Sequence, residues 1–80
     1  MTELNRLHWQ CRRGMLELDT LLLAFLESGY DGLSRNEQDV FAELLSYPDQ
    51  LLFEYFMGKI KPIDKDVAHV VEQIRHPTQV

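Results

Sequence analysis

One stretch of the sequence concentrates groups that could do chemistry. Arg12-Arg13-Gly14-Met15-Leu16-Glu17-Leu18-Asp19 packs two positive charges, a glycine and two carboxylates around one helix boundary. Arg13 and Glu17 are four apart, so a helix that includes both makes them neighbours. The Arg-before-Glu order is the weaker one, worth about 0.2 to 0.5 kcal/mol. Two readings share this geometry. In one, Glu17 and Asp19 sit in a first helical turn where the dipole favours anions, Gly14 supplies a turn and the arginines are solvated. In the other the segment is a docking surface: the missing side chain at Gly14 lets a partner's backbone approach, while Arg13 and Glu17 offer oriented polar contacts. Just upstream, His8 and Cys11 are three apart, but two ligands do not make a zinc site, so neither a metal nor a catalytic role is assigned to them. Trp9 is off the apolar stripe of its helix; it is either an exposed aromatic anchor or packs over a neighbouring helix, and its position in the fold decides.

Elsewhere the chemistry is sparse. His69 and His76 are seven apart, yet no Glu or Asp completes a ligand set with them, and His76 beside Pro77 reads as a partner of a helix C-terminus. Asp49, after Tyr47-Pro48, fits a helix start. Ser28, Ser34 and Ser46 have no nucleophile-elbow context, and the four glycines form neither a phosphate loop nor a dinucleotide fingerprint. No acid pair falls in an evident cleft, so the chain is not expected to be an enzyme.

The scale of the chain agrees. Eighty residues carry a net charge of −5, 45% hydrophobic residues and one cysteine. A chain of this length is expected to bury about 60 to 65% of its unfolded surface, which leaves little room for an enclosed active site. Cys11 has no disulfide partner within the chain, as in a reducing compartment. The N-terminus lacks the basic and apolar regions of a targeting peptide, so the expected location is the cytoplasm. The longest apolar run, Leu21 to Leu26, has six residues, against roughly 20 needed to span a bilayer, so no direct membrane insertion is expected. The acidic balance and the lone Arg12-Arg13 basic pair disfavour nucleic acid.

The elements that must position these residues read as helices nearly throughout. A first helix is expected from Leu4 to Cys11 or Arg12, with Thr2 as N-cap and Leu4, Leu7, His8 and Cys11 on one face. A second starts near Met15 and carries Leu18, Leu21, Leu22, Phe25 and Leu26, ending where Gly29 and Gly32 make left-handed backbone cheap. Ser34 and Glu37 form a capping box for a third helix with Val40, Phe41, Leu44 and Leu45. Pro48 is expected in the first turn of a fourth, with Leu51, Leu52, Tyr55 and Phe56, closed by Gly58. After the connector at 59–62, Asp64 caps a fifth helix bearing Val67, Val70, Val71 and Ile74, and residues 77–80 form a tail. The expectation is an all-α fold, a compact five-helix bundle making a single domain over residues 1–80.

Arg13-Gly14-Met15-Leu16-Glu17 is an RGxxE sequence, and here the chain resembles the succinate dehydrogenase flavinylation-factor family, small bacterial and mitochondrial assembly proteins. The likeness extends from Arg6-Leu7-His8-Trp9 through Asp19, to Tyr30-Asp31-Gly32-Leu33-Ser34, Glu37, Phe41, Leu44-Leu45, Pro48-Asp49 and Leu52, covering about residues 6 to 57. It lacks a tryptophan that the family commonly has near Tyr55 and Phe56. The resemblance implies a helical bundle that binds the flavoprotein subunit of succinate dehydrogenase, and of fumarate reductase, and promotes covalent attachment of FAD to that subunit. It implies no stably bound cofactor in the chain itself. Arg13, Gly14 and Glu17 carry over from the motif, with Arg12, Asp19, His8 and Trp9 as neighbours on the flavoprotein-binding face. A monomer is expected, with a weak homodimer left open. Two other readings stand beside this one: an antitoxin-like regulatory binding protein, and a protein that itself binds and delivers FAD.

Overall fold

Apolar residues at three- and four-residue steps need a common core, and five helices supply it. The computed structural model describes residues 3–76, with side chains from residue 5 on. Its helices are α1 (Glu3–Gln10), α2 (Leu16–Ser28), α3 (Arg35–Leu44), α4 (Asp49–Phe56) and α5 (Lys65–Arg75), with a 3-10 turn at Tyr30–Gly32 and no strand among the described residues. The expected cap at Thr2, the inward placement of the Leu4 side chain and the tail at 77–80 lie outside the described residues.

Helix α5 is the hub. Its Val67, Val70, Val71 and Ile74 are all buried, and it packs against α2, α3 and α4. Around it close Leu7 and Cys11 of the first segment, Leu18, Leu22, Phe25 and Leu26 of α2, Phe41, Leu44 and Leu45, and Leu52 and Phe56. The Phe25 and Phe41 rings pack 5.6 Å apart at a tilted angle, and Tyr30 meets Phe41 at the same distance. Tilted packing of this kind adds to simple area burial. The apolar stripes read from the sequence are these faces, with Leu21, Val40, Leu51 and Tyr55 only partly buried at their edges.

The capping signals form as expected at two helix starts. The Ser34 hydroxyl accepts from the Glu37 N–H at 3.1 Å while Glu37 Oε1 accepts from the Ser34 N–H at 2.9 Å, closing the capping box. Asp64 Oδ1 accepts from the N–H groups of Asp66 and Val67 at 2.8 and 3.3 Å.

Three boundaries differ from expectation. Helix α1 ends at Gln10, and Cys11 and Arg12 follow it as a turn. Pro48 is the N-cap of α4 with ψ 147°, so Asp49 takes the first helical position. Gly29 and Gly32 are not left-handed: Gly29 has φ −117°, and the chain runs on into the 3-10 turn. Gly29 is needed there for space, since a Cβ would lie 2.6 Å from the Phe25 ring. The two left-handed glycines are Gly14 and Gly58, with φ of 87° and 79°.

Candidate functional site

The link from α1 to α2 must reverse the chain in a few residues while leaving a glycine bare. Cys11, fully buried, anchors its start. Gly14 makes the reversal with a φ that other residues rarely adopt, and a Cβ built there would meet nothing within 4 Å. Its backbone is therefore open to whatever approaches.

Asp19, in the first turns of α2, fastens the link. Its Oδ1 accepts from the Arg13 N–H at 2.8 Å and its Oδ2 from the Gly14 N–H at 3.2 Å. One carboxylate thus holds two successive backbone donors that a tight link would otherwise leave unpaired.

The Arg13 side chain points away from the exposed face and ties four segments together. Its Nε donates to Asp49 Oδ1 at 2.6 Å, Nη1 to the carbonyls of Gln10 and Leu45, and Nη2 to the Tyr47 carbonyl at 2.6 Å. These acceptors are the end of α1, the end of α3, the following turn and the start of α4. The last carbonyls of a helix lack partners and carry its negative pole, so a cation there is favoured. Only a planar fork with five N–H groups spans such a set, which a lysine could not do. Arg13 is 14% exposed and Asp49 43%. Because Arg13 precedes α2, it does not pair with Glu17 in the i,i+4 manner that a shared helix would allow.

The other candidates fall into two groups. Trp9 at 75% exposure settles its own alternatives: it is an exposed indole near the end of α1. Arg12 and Glu17 are exposed beside Gly14, and His8 is half-buried. Cys11 has a thiol pushed up to about 11, chiefly by burial, with Arg13 opposing, which makes it a poor ligand or nucleophile near neutral pH. Among the described residues no group of three His, Cys, Asp or Glu side chains could hold a metal ion. An open depression lined by Tyr30, Arg35, Gln38 and Asp39 engages its own polar groups: Gln38 Nε2 donates to the Tyr30 carbonyl, and Arg35 lies 3.7 Å from Asp39.

Three features escaped the sequence reading. Leu16, the first residue of α2, is 78% exposed. The signal was available, because Leu16 lies on the opposite side of the helix from Leu18, Leu22 and Phe25. Asp49 as the partner of Arg13 had no local signal, since the two are 36 positions apart. His69 does meet a carboxylate, Glu37 Oε2 at 2.9 Å, contributed by α3.

The structure leaves several groups accessible in and near this link: bare backbone at Gly14, apolar Trp9 and Leu16, and the opposite charges of Arg12 and Glu17. A sequence model of the family described as flavinator of succinate dehydrogenase matches residues 5–78. The chain is 47% identical over 73 residues to a Pseudomonas aeruginosa protein named FAD assembly factor SdhE, covering 91% of this chain and 87% of that one. Proteins of the same name from Coxiella burnetii and Yersinia pseudotuberculosis are 39% and 43% identical, over 89% and 88% of this chain and 87% and 80% of theirs.

Proposed function

This chain belongs to the family of flavinators of succinate dehydrogenase, and on that footing we propose that it is a non-catalytic assembly factor. It binds the flavoprotein subunit of succinate dehydrogenase, and that of fumarate reductase, and promotes covalent attachment of FAD to that subunit. The relatives' name, FAD assembly factor, supports this reading. The observation that carries it onto particular residues is the α1–α2 link, where an open left-handed glycine is held by Asp19 and Arg13 on a rigid base.

The roles divide accordingly. Gly14, Glu17, Arg12, Trp9, His8 and Leu16 meet the flavoprotein, while Arg13 and Asp19 keep the link in shape. Preorganisation matters because an already rigid surface loses less conformational freedom on docking. The chain acts by binding one conformation of the immature flavoprotein better than others, and that difference in affinity sets how far the population shifts. The bond to FAD is made by the flavoprotein's own residues, and no FAD is held stably by this chain.

Co-expression with a succinate dehydrogenase flavoprotein subunit, in cells lacking their own factor, tests this by in-gel flavin fluorescence. Wild type is expected to restore covalent flavin, and Gly14→Arg to abolish it while keeping the helical circular dichroism. Equal fluorescence with and without the chain would overturn the assembly role. Saturable micromolar binding of FAD to the purified chain would overturn the statement that it carries no flavin itself.

A further inference from the structure

Residues 57–65 differ in character from the rest of the molecule. Met57-Gly58-Lys59-Ile60-Lys61-Pro62-Ile63-Asp64-Lys65 contains every lysine in the chain. With one acidic residue among three lysines, the loop carries +2, while the remainder of the chain carries −7. Even its one carboxylate is engaged as the cap of α5, turned to the N–H groups of Asp66 and Val67.

The same loop holds three of the five large hydrophobic side chains exposed among the described residues: Met57 at 42%, Ile60 at 44% and Ile63 at 101%. Ile63 is thus as accessible as in an extended chain. Lys59, Lys61 and Lys65 are exposed, and their ammonium groups form no hydrogen bond or ion pair among the described residues. The backbone beneath them is nonetheless ordered by contact: the N–H of Lys59 donates to the Glu54 carbonyl at 2.9 Å, and Gly58 turns the chain at positive φ. Apolar and cationic side chains therefore project together from a held loop at one end of the bundle.

We propose that this loop is a peripheral docking surface for a bilayer rich in anionic lipid headgroups. Lysines on flexible stems can reach phosphate oxygens while their methylenes lie along apolar surface. Ile60, Ile63 and Met57 enter the headgroup and acyl boundary between them. A fully exposed, projecting isoleucine suits a deformable lipid surface better than a folded acidic protein, which would need a matching pocket. The acidic remainder is repelled by the same headgroups, and that repulsion orients the molecule with the loop downward.

Position adds a consequence. Helix α4 begins at the Arg13–Asp49 ion pair and ends just before this loop, so the loop lies at the far end of α4, about 12 Å along its axis. Lipid contact at one end leaves the Gly14 surface free at the other. The lipid surface does not rest on the proposed assembly role.

Vesicle flotation with the full chain tests it, using phosphatidylcholine vesicles with and without phosphatidylglycerol. Wild type is expected to float with the anionic vesicles at low salt, to be released as salt rises, and not to float with phosphatidylcholine alone. Lys61→Glu is expected to lower partitioning at least about fivefold, and Ile63→Ser to lower it measurably at unchanged charge. Both positions are exposed, and circular dichroism checks that the helices persist. Gly14→Arg should float as wild type does, which separates this surface from the assembly surface. Absence of flotation, or flotation untouched by either loop variant, overturns the lipid surface. So does a Lys61→Glu variant that binds the flavoprotein subunit less well while wild type ignores vesicles; the loop would then face an acidic protein.

Discussion

Two arginines and two glycines solve the same problem at opposite ends of α4, with different results. Arg13 supplies donors to the Leu45 carbonyl that ends α3 and to the Tyr47 carbonyl in the turn after it, and Arg75 Nε does so for the Phe56 carbonyl that ends α4, at 3.0 Å. Each lies beside a left-handed glycine, Gly14 in one case and Gly58 in the other. The difference lies in the space around them. A Cβ at Gly58 would come within 2.8 Å of the Arg75 guanidinium, whereas one at Gly14 would meet nothing. The Gly58 turn is closed by its own arginine and serves packing. The Gly14 turn has its arginine tucked beneath it and its outer side left open. What a glycine is for is thus read from what surrounds it, beyond the backbone angle that both share.

The largest effect expected is functional. Gly14→Arg should abolish covalent flavin in the co-expression assay, whereas Gly58→Ala should leave it near wild type once any loss of stability is corrected for. Equal loss from both would erase the contrast.

Next comes stability. Arg13→Ala removes an ion pair and three carbonyl contacts in a mostly buried setting and should cost about 2 to 3 kcal/mol in urea denaturation. Arg75→Ala, whose Nη1 meets an exposed Glu72, should cost about 1 kcal/mol. If Arg13→Ala instead keeps full stability but loses flavinylation, Arg13 contacts the flavoprotein directly and is no internal tie. Asp19→Asn should fall between these, at about 1 to 2 kcal/mol, because the amide retains one acceptor for two backbone donors.

Replacing either glycine by alanine should cost about 1 kcal/mol for the left-handed backbone. Gly58→Ala should exceed Gly14→Ala, since Arg75 must also move aside. Thermal unfolding of the pair measures the difference.

The smallest effect concerns pH. The Ser34 backbone N–H above all, then the Ser34 hydroxyl, Gln73 and His69, hold the Glu37 carboxyl below the usual range against its partial desolvation. A carboxyl lowered in the folded state stabilises above its unfolded pKa, and that contribution fades as pH falls through the folded value. Wild type should therefore lose melting temperature on acidification below the ordinary carboxylate range, and Glu37→Gln should remove that part of the slope.

Much of the fold was legible because the signals are local. Leu18, Leu22, Phe25 and Leu26 declare a face by spacing alone, and Ser34 with Glu37 declares a helix start. Gly58 was legible as a stop. Gly29 misled, because a glycine after a helix signals left-handed backbone equally well when its real task is to clear the Phe25 ring. At the candidate site, the exposure of Leu16 is legible in the helical spacing, which sets it opposite Leu18, Leu22 and Phe25. The destination of the Arg13 side chain could not be read, since no periodicity links position 13 to positions 45, 47 and 49.

The sequence by itself determined the helices, the caps at Ser34 and Asp64, the apolar stripes and the RGxxE segment, because each depends on residues within about four positions of one another. The tertiary structure alone decided that Arg13 turns inward, that Trp9 faces outward, and that the lysine loop and the Gly14 turn lie at opposite ends of α4. Those outcomes follow from how the helices pack on α5, which brings distant carbonyls and carboxylates within hydrogen-bond reach of one guanidinium and leaves other side chains with nothing to cover them.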